Sequence, residues 1–167
     1  ELPPLAIERT VPVTQPYVAP DTQLDRLRAA LAAEIEAKQV EVDANNEWVF
    51  VRVGEYLRFA PARATLESDF APLAEAIGRT FDREIGAVRV VGHTDSDRMS
   101  GRGQFKTNEE LSVARAQTVA DMLAPYLSDT SRLMVEGKGA AEPIDTNATR
   151  EGKARNRRVE VMIPRED

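Results

Sequence analysis

Three clusters of side chains in this chain could do chemistry. The first is His93-Thr94-Asp95-Ser96-Asp97, one imidazole beside two carboxylates. His93, Asp95 and Asp97 together could ligate a divalent metal and activate water, which would make a metal-dependent hydrolase. Acid-bearing loops are more often simply solvated, however, and no G-x-S-x-G nucleophile motif accompanies this one. The second cluster centres on Arg115, which shares one helical face with Leu111, Val119, Met122 and Tyr126 and falls in the middle of that apolar stripe. A guanidinium cannot shed its charge. In such a place it needs a carboxylate, either from the protein's own acids in a structural ion pair or from a ligand held in a bidentate fork. The third cluster runs from Arg150 to Arg158, where Arg150, Lys153, Arg155, Arg157 and Arg158 face only Glu151. It is a solvated turn or a local anion-attracting edge. No aromatic platform goes with it, so nucleic acid is not an expected partner. Glu136-Gly137-Lys138-Gly139 lacks the G-x-x-x-x-G-K-[ST] spacing of a phosphate loop.

The whole-chain arithmetic narrows these choices. A length of 167 residues suits one compact domain, and 42% apolar with 30% charged residues allows a buried core. The net charge of −6 argues against a general polyanion binder and leaves room for a local basic pocket. The absence of cysteine excludes disulfide scaffolds, thiolate metal sites and Cys nucleophiles, and all imidazole chemistry must use His93. No cofactor is expected. No apolar run approaches the ~18 residues that span a bilayer. The first residue is Glu rather than Met, so removal of an upstream targeting or membrane segment is expected.

The elements that must position these clusters follow from periodicity. Five prolines within residues 1–20 predict a semi-rigid tether. Asp21 can cap a helix bearing Leu24, Leu27, Leu31 and Ile35 on one stripe. Val40 and Val42, a turn at Asn45-Asn46, and Trp48 to Val53 predict a hairpin. Phe70, Leu73, Ile77 and Phe81 mark a second helix, with Pro72 tolerated in its first turn. Val88 to His93 predicts a buried strand that ends at the first cluster, where ligands of α/β folds tend to bind. A polar loop from Thr94 to Lys106 leads to Thr107-Asn108-Glu109-Glu110, a capping box. It opens a third helix that runs to about Tyr126 and carries Arg115. Leu133 to Glu136 and Arg158 to Ile163 predict two further strands, the second alternating Val159, Val161 and Ile163 with Arg158, Glu160 and Met162. The expected fold is an α/β (α+β) sandwich, a mixed sheet with helices packed on one face.

Four segments, in this order, resemble those of the OmpA-like peptidoglycan-binding domain. They are Val90-Val91-Gly92-His93-Thr94-Asp95, Asn108-Glu109-Glu110-Leu111-Ser112-Val113-Ala114-Arg115-Ala116, Glu136-Gly137-Lys138-Gly139, and Glu151-Gly152-Lys153-Ala154-Arg155-Asn156-Arg157-Arg158-Val159-Glu160. The resemblance implies a domain over residues 21–167 that is not an enzyme. Its ligand would be the peptide stem of peptidoglycan, gripped through meso-diaminopimelate. It further implies that Asp95 receives the ligand ammonium and Arg115 its carboxylate, with Asn108, Arg157, Thr94 and Leu111 lining the same pocket. The chain departs from the pattern in a longer loop between Asp95 and Arg115, in Asp97 where simpler members have a small polar residue, and in Lys153 in place of an arginine. The long loop with Asn108-Glu109-Glu110-Leu111-Ser112 is similar to the inner-membrane-anchored branches, the flagellar stator subunit MotB and the type VI secretion subunit TssL. Leu27 to Val53 and Phe59 to Ala64 are more similar to the TssL type. The resemblance therefore implies a periplasmic domain of an inner-membrane-anchored protein in a Gram-negative bacterium, tethering a type VI secretion complex to the wall. Partners would be peptidoglycan and other subunits of that envelope complex, with self-association left open. The alternatives are a stator-like or outer-membrane wall anchor and, from another class, the hydrolase built on His93, Asp95 and Asp97.

Overall fold

The computed structural model describes residues 22–54, 59, 64 and 70–166. The expected tether at residues 1–20, a cap by Asp21, and most of the Phe59 to Ala64 segment lie outside the described residues. Along the chain the elements are α1 (Thr22–Ala30), α2 (Ala32–Glu36), β1 (Glu41–Ala44), β2 (Trp48–Val53), α3 (Ala71–Asp82), β3 (Val88–His93), α4 (Asn108–Leu123), β4 (Leu133–Gly137), α5 (Arg150–Asn156) and β5 (Arg158–Pro164). Single 3₁₀ turns at Ala124–Tyr126 and Thr130–Arg132 bridge α4 to β4.

The strands form one mixed sheet in the order β1-β2-β5-β3-β4. The C-terminal strand β5 lies in the centre, antiparallel to both β2 and β3, and β3 runs parallel to β4. Period-2 alternation then sorts the side chains. Val42, Val49, Val51, Val53, Val88, Val90, Val159, Val161 and Ile163 join one buried cluster with Leu27, Leu31, Leu73, Ile77, Phe81, Ala116, Val119 and Leu123 from the helical segments. This is the predicted mixed sheet with helices on one face. The other face is not left bare. Phe50, Val91 and Met162 form a second buried cluster beside Trp48, with the Arg52 guanidinium 5.1 Å from the Phe50 ring centroid and that of Arg89 4.6 Å from Trp48.

Two helical expectations change. The helix predicted from Asp21 to Ile35 is divided at Leu31, whose φ/ψ of −109°/20° leaves the helical basin. The hydrogen bonds Leu31 N to Leu27 O and Ile35 N to Leu31 O bridge the division, and Leu31 is fully buried. The stripe on α4 is also rotated from the one predicted. Leu111, Ser112, Ala116, Val119, Ala120 and Leu123 are buried, which puts Arg115 at the edge of the face and not in its middle. Small residues cause the rotation. Any Cβ on Gly92 or Gly137 would collide with Ser112, so these glycines let α4 lie close on β3 and β4. Ser112 Oγ donates to Glu109 O at 2.8 Å and accepts from Gly139 N at 3.0 Å, so the close approach leaves no hydroxyl stranded. The first turn of α4 is thereby fixed against the end of β3, where the first cluster begins.

Candidate functional site

The site lies where β3 ends. Thr94 leaves the strand with its N–H donating to Gly139 O at 2.8 Å and its hydroxyl donating to Asp95 O at 2.8 Å. Asp95 is only 7% exposed. Its Oδ1 accepts the Asp97 N–H at 2.9 Å, a turn that Asp favours, and its Oδ2 accepts Arg157 Nη1 at 2.6 Å. Asn108, the first residue of α4, donates from Nδ2 to the Asp97 carbonyl at 3.0 Å and reaches the Asp95 carbonyl at 3.5 Å. The start of α4 is set by Thr107, whose hydroxyl accepts Glu110 N at 3.1 Å while Glu110 Oε2 accepts Thr107 N at 3.2 Å. This is the predicted capping box.

One turn beyond buried Leu111, Arg115 is half-buried with its guanidinium 4.7 Å from the Phe59 ring centroid. Burial, then the Arg157 guanidinium, pushes Arg115 below its ordinary value, and Asp95 pulls it back only in part. Arg157, at the end of α5, thus pairs directly with the shielded carboxylate of the β3–α4 loop, and Arg115 on α4 lies within electrostatic reach of both. A group carrying a negative charge is stabilised beside the pair of cations, and an ammonium is stabilised at Asp95. The structure brings Asp95, Arg115, Asn108 and Arg157 together, with Thr94 and Leu111 on the elements that hold them.

The metal arrangement is not assembled. His93 points to the opposite face of the sheet, where its Nε2 lies 3.4 Å from Glu160 Oε1. Asp95 pairs with Arg157, and Asp97 Oδ1 lies 3.0 Å from Lys153 Nζ. Among the described residues no group of three or more His, Cys, Asp or Glu is placed to hold a metal ion. The end of the strand is the reason: His93 still follows the alternation of β3, whereas Asp95 follows the turn closed by its own Oδ1 on the Asp97 N–H.

The basic stretch from Arg150 to Arg158 is neither a turn nor a uniform edge. Residues Arg150–Asn156 form α5, capped by Thr149, whose hydroxyl accepts Gly152 N at 3.0 Å. Asn156 is fully buried, accepts Ile144 N and Asp145 N, and donates to Asp145 O and Asn147 Oδ1, so α5 is held by its loop. Arg158 opens β5 and turns inward, with a side chain 3% exposed that donates to Glu160, Asn156 O and Glu142 O. Residue types alone missed the Asp97–Lys153 pair. Two of the three departures from the family pattern, Asp97 and Lys153, are each other's partners, a coupling visible only once α5 is placed. A separate cavity of about 670 Å³ at the β1 edge, lined by Ile35, Val40, Arg52 and Arg155 among others, contains none of Asp95, Asn108, Arg115 and Arg157.

The chain is similar to known proteins in sequence and in fold. The model of the OmpA family matches residues 58–157. The solved "cell wall anchor of the T6SS from Pseudomonas aeruginosa" is 38% identical, superposes with a TM-score of 0.75, and is covered over 99% of its chain by 86% of this one. The Escherichia coli protein "Probable lipoprotein YiaD" is 32% identical over 141 residues, 84% of this chain. The "Peptidoglycan-binding protein ArfA" of Mycobacterium tuberculosis is 38% identical over 76 residues, 46% of this chain. The chain spans 62% of the first of these two curated relatives and 22% of the second.

Proposed function

Because the chain belongs to the OmpA family, we propose that it is a non-catalytic wall anchor that grips the peptide stem of peptidoglycan by the zwitterionic end of diaminopimelate. The observation that carries this reading is the convergence of Asp95 with Arg115 and Arg157 from three separate elements. The ligand ammonium joins the Asp95 carboxylate, and the ligand carboxylate lies between the two guanidiniums, relieving the repulsion that now disfavours the Arg115 cation. Asn108 acts at one remove: by tying the Asp97 carbonyl to α4 it holds the Asp95 carboxylate at a fixed distance from Arg115. Thr94 and Leu111 supply the wall that keeps water from the charges. Two opposite fixed charges favour a zwitterion over a ligand with either charge alone, because a singly charged ligand leaves one protein group desolvated without a partner.

The 38% identity to the Pseudomonas aeruginosa anchor supports a role in tethering a type VI secretion complex from the periplasmic side, with other subunits of that complex as partners. The same reading places the domain on an inner-membrane-anchored protein of a Gram-negative bacterium. Among the described residues no helix is long and apolar enough to cross a membrane. The test is co-sedimentation with purified sacculi, paired with melting temperatures. Arg115→Ala and Asp95→Ala should stay folded and lose sedimentation, while Arg115→Lys should recover it only in part because an ammonium lacks the planar fork. A well-folded wild type that never sediments with sacculi refutes the reading.

A further inference from the structure

The loop between Asp97 and Asn108 is closed at its neck by the Asn108 Nδ2 hydrogen bond to Asp97 O, 3.0 Å, and its root is pinned to α5 by Lys153 on Asp97. Residues 98–107 leave and return through that neck as a compact projection beside the proposed pocket. The projection contains Arg98, Arg102 and Lys106 and no acid, in a chain whose net charge is −6. All three cations are exposed. Among the described residues none of the three pairs with a carboxylate; Lys106 Nζ reaches only the Gly101 carbonyl of the same loop, at 3.5 Å. The nearest acids along the chain are engaged. Asp97 faces Lys153, Glu110 Oε2 accepts the Lys106 and Thr107 N–H groups, and the Glu109 carboxylate packs on Gly139.

Exposed cations at a protein surface pair with acids that lie within reach, and here, among the described residues, no acid is free within reach of the three. Three that remain outward on one projection are available to an external anion. We propose that the loop 98–107 is a second, electrostatic contact to the wall, engaging carboxylates of the mesh around the stem held in the pocket. This inference rests on the wall-anchor reading above. The pocket selects the ligand; the loop raises the rate and avidity of capture on a polyanionic surface, as rim charges do.

The experiment compares the whole chain with an Arg98→Gln, Arg102→Gln, Lys106→Gln triple variant. Binding to sacculi is measured at about 20 mM and about 500 mM salt, conditions that differ several-fold in screening length. Titration with a soluble stem peptide and sedimentation with anionic phospholipid vesicles run beside it. The triple variant should bind sacculi about tenfold more weakly than wild type at low salt and equally at high salt. Its affinity for the soluble stem should be unchanged. Equal low-salt binding of both proteins to sacculi overturns the proposal. So does a loop-dependent difference seen on vesicles and absent on sacculi, or a loss of soluble-stem affinity, which would make the loop part of the pocket. If wild type ignores the soluble stem but still sediments in a loop-dependent, salt-sensitive way, the pocket falls and the loop stands.

Discussion

Glu160 is a residue whose removal should be costly for a single polar side chain. It lies on the face of the sheet away from the helices, its Oε2 3.0 Å from both Arg52 Nε and Arg158 Nε and its Oε1 3.4 Å from His93 Nε2. Burial by itself would raise its pKa. His93, Arg158 and Arg52 overcome burial and hold it down at about 2, against an ordinary value of 4.5. At about 1.4 kcal/mol per tenfold in proton affinity, that depression corresponds to about 3 kcal/mol of folding stability at neutral pH. The folded pKa lies below the unfolded one. The contribution is therefore complete above pH 4.5 and is lost as the pH falls from there toward 2. Glu160→Gln should lose about 3 kcal/mol at pH 7, because it strands the Arg158 guanidinium, whose side chain is 3% exposed. In a chain of this size that lowers Tm by roughly 10 °C. Urea unfolding of both proteins between pH 7 and pH 2 is the assay, and the two stability curves should converge at the acid end. A variant that melts within about 2 °C of wild type at pH 7, or a gap that persists undiminished at pH 2, would refute the argument.

Three further substitutions test local parts of the account. Thr107→Ala removes the cap of α4 and should cost about 1 kcal/mol in chemical denaturation; if the cap also aims Arg115, sacculus affinity should fall with it, and unchanged affinity would separate the two roles. Gly92→Ala drives a methyl group into the Ser112 backbone carbonyl, so it should destabilise by about 3 kcal/mol, and a variant as stable as wild type would show that α4 does not press on β3 as described. Lys38→Gly should raise stability by about 0.5 kcal/mol, because Lys38 holds φ of +60° at the end of α2 without the freedom of glycine; a loss of stability in urea unfolding would contradict this.

Much of the frame was legible because local rules and tertiary demand agree there. Val88 to His93 forms the predicted strand with both ends correct, and Asn45 makes the hairpin turn with its Oδ1 accepting the Glu47 and Trp48 N–H groups. Thr107 caps α4 as its T-x-x-E spacing requires. What was not legible depends on distant partners. The helix α5 is seven residues long with Gly152 inside it, so its propensity is poor, and it persists because Asn156 is hydrogen-bonded to the 144–147 loop. Arg158 and Glu160 look like the solvent side of an alternating strand. Both are buried because each supplies the other's countercharge. The rotated stripe on α4 has the same origin, since Ser112 and Ala116 carry little hydrophobic weight, and Ser112 sits where Gly92 and Gly137 admit the helix close to the sheet.

The central claim is that Asp95 and the Arg115–Arg157 pair form the two poles of a site for a zwitterion. Titration calorimetry with two soluble stem peptides, one bearing meso-diaminopimelate and one bearing lysine at the same position, tests it most directly. Lysine keeps the side-chain ammonium and lacks the second carboxylate, so only one pole of the site is satisfied. The lysine stem should bind at least ~30-fold more weakly, the equivalent of about 2 kcal/mol, and Arg115→Ala should erase the difference between the two peptides. Equal affinity of the wild type for both stems would contradict the account.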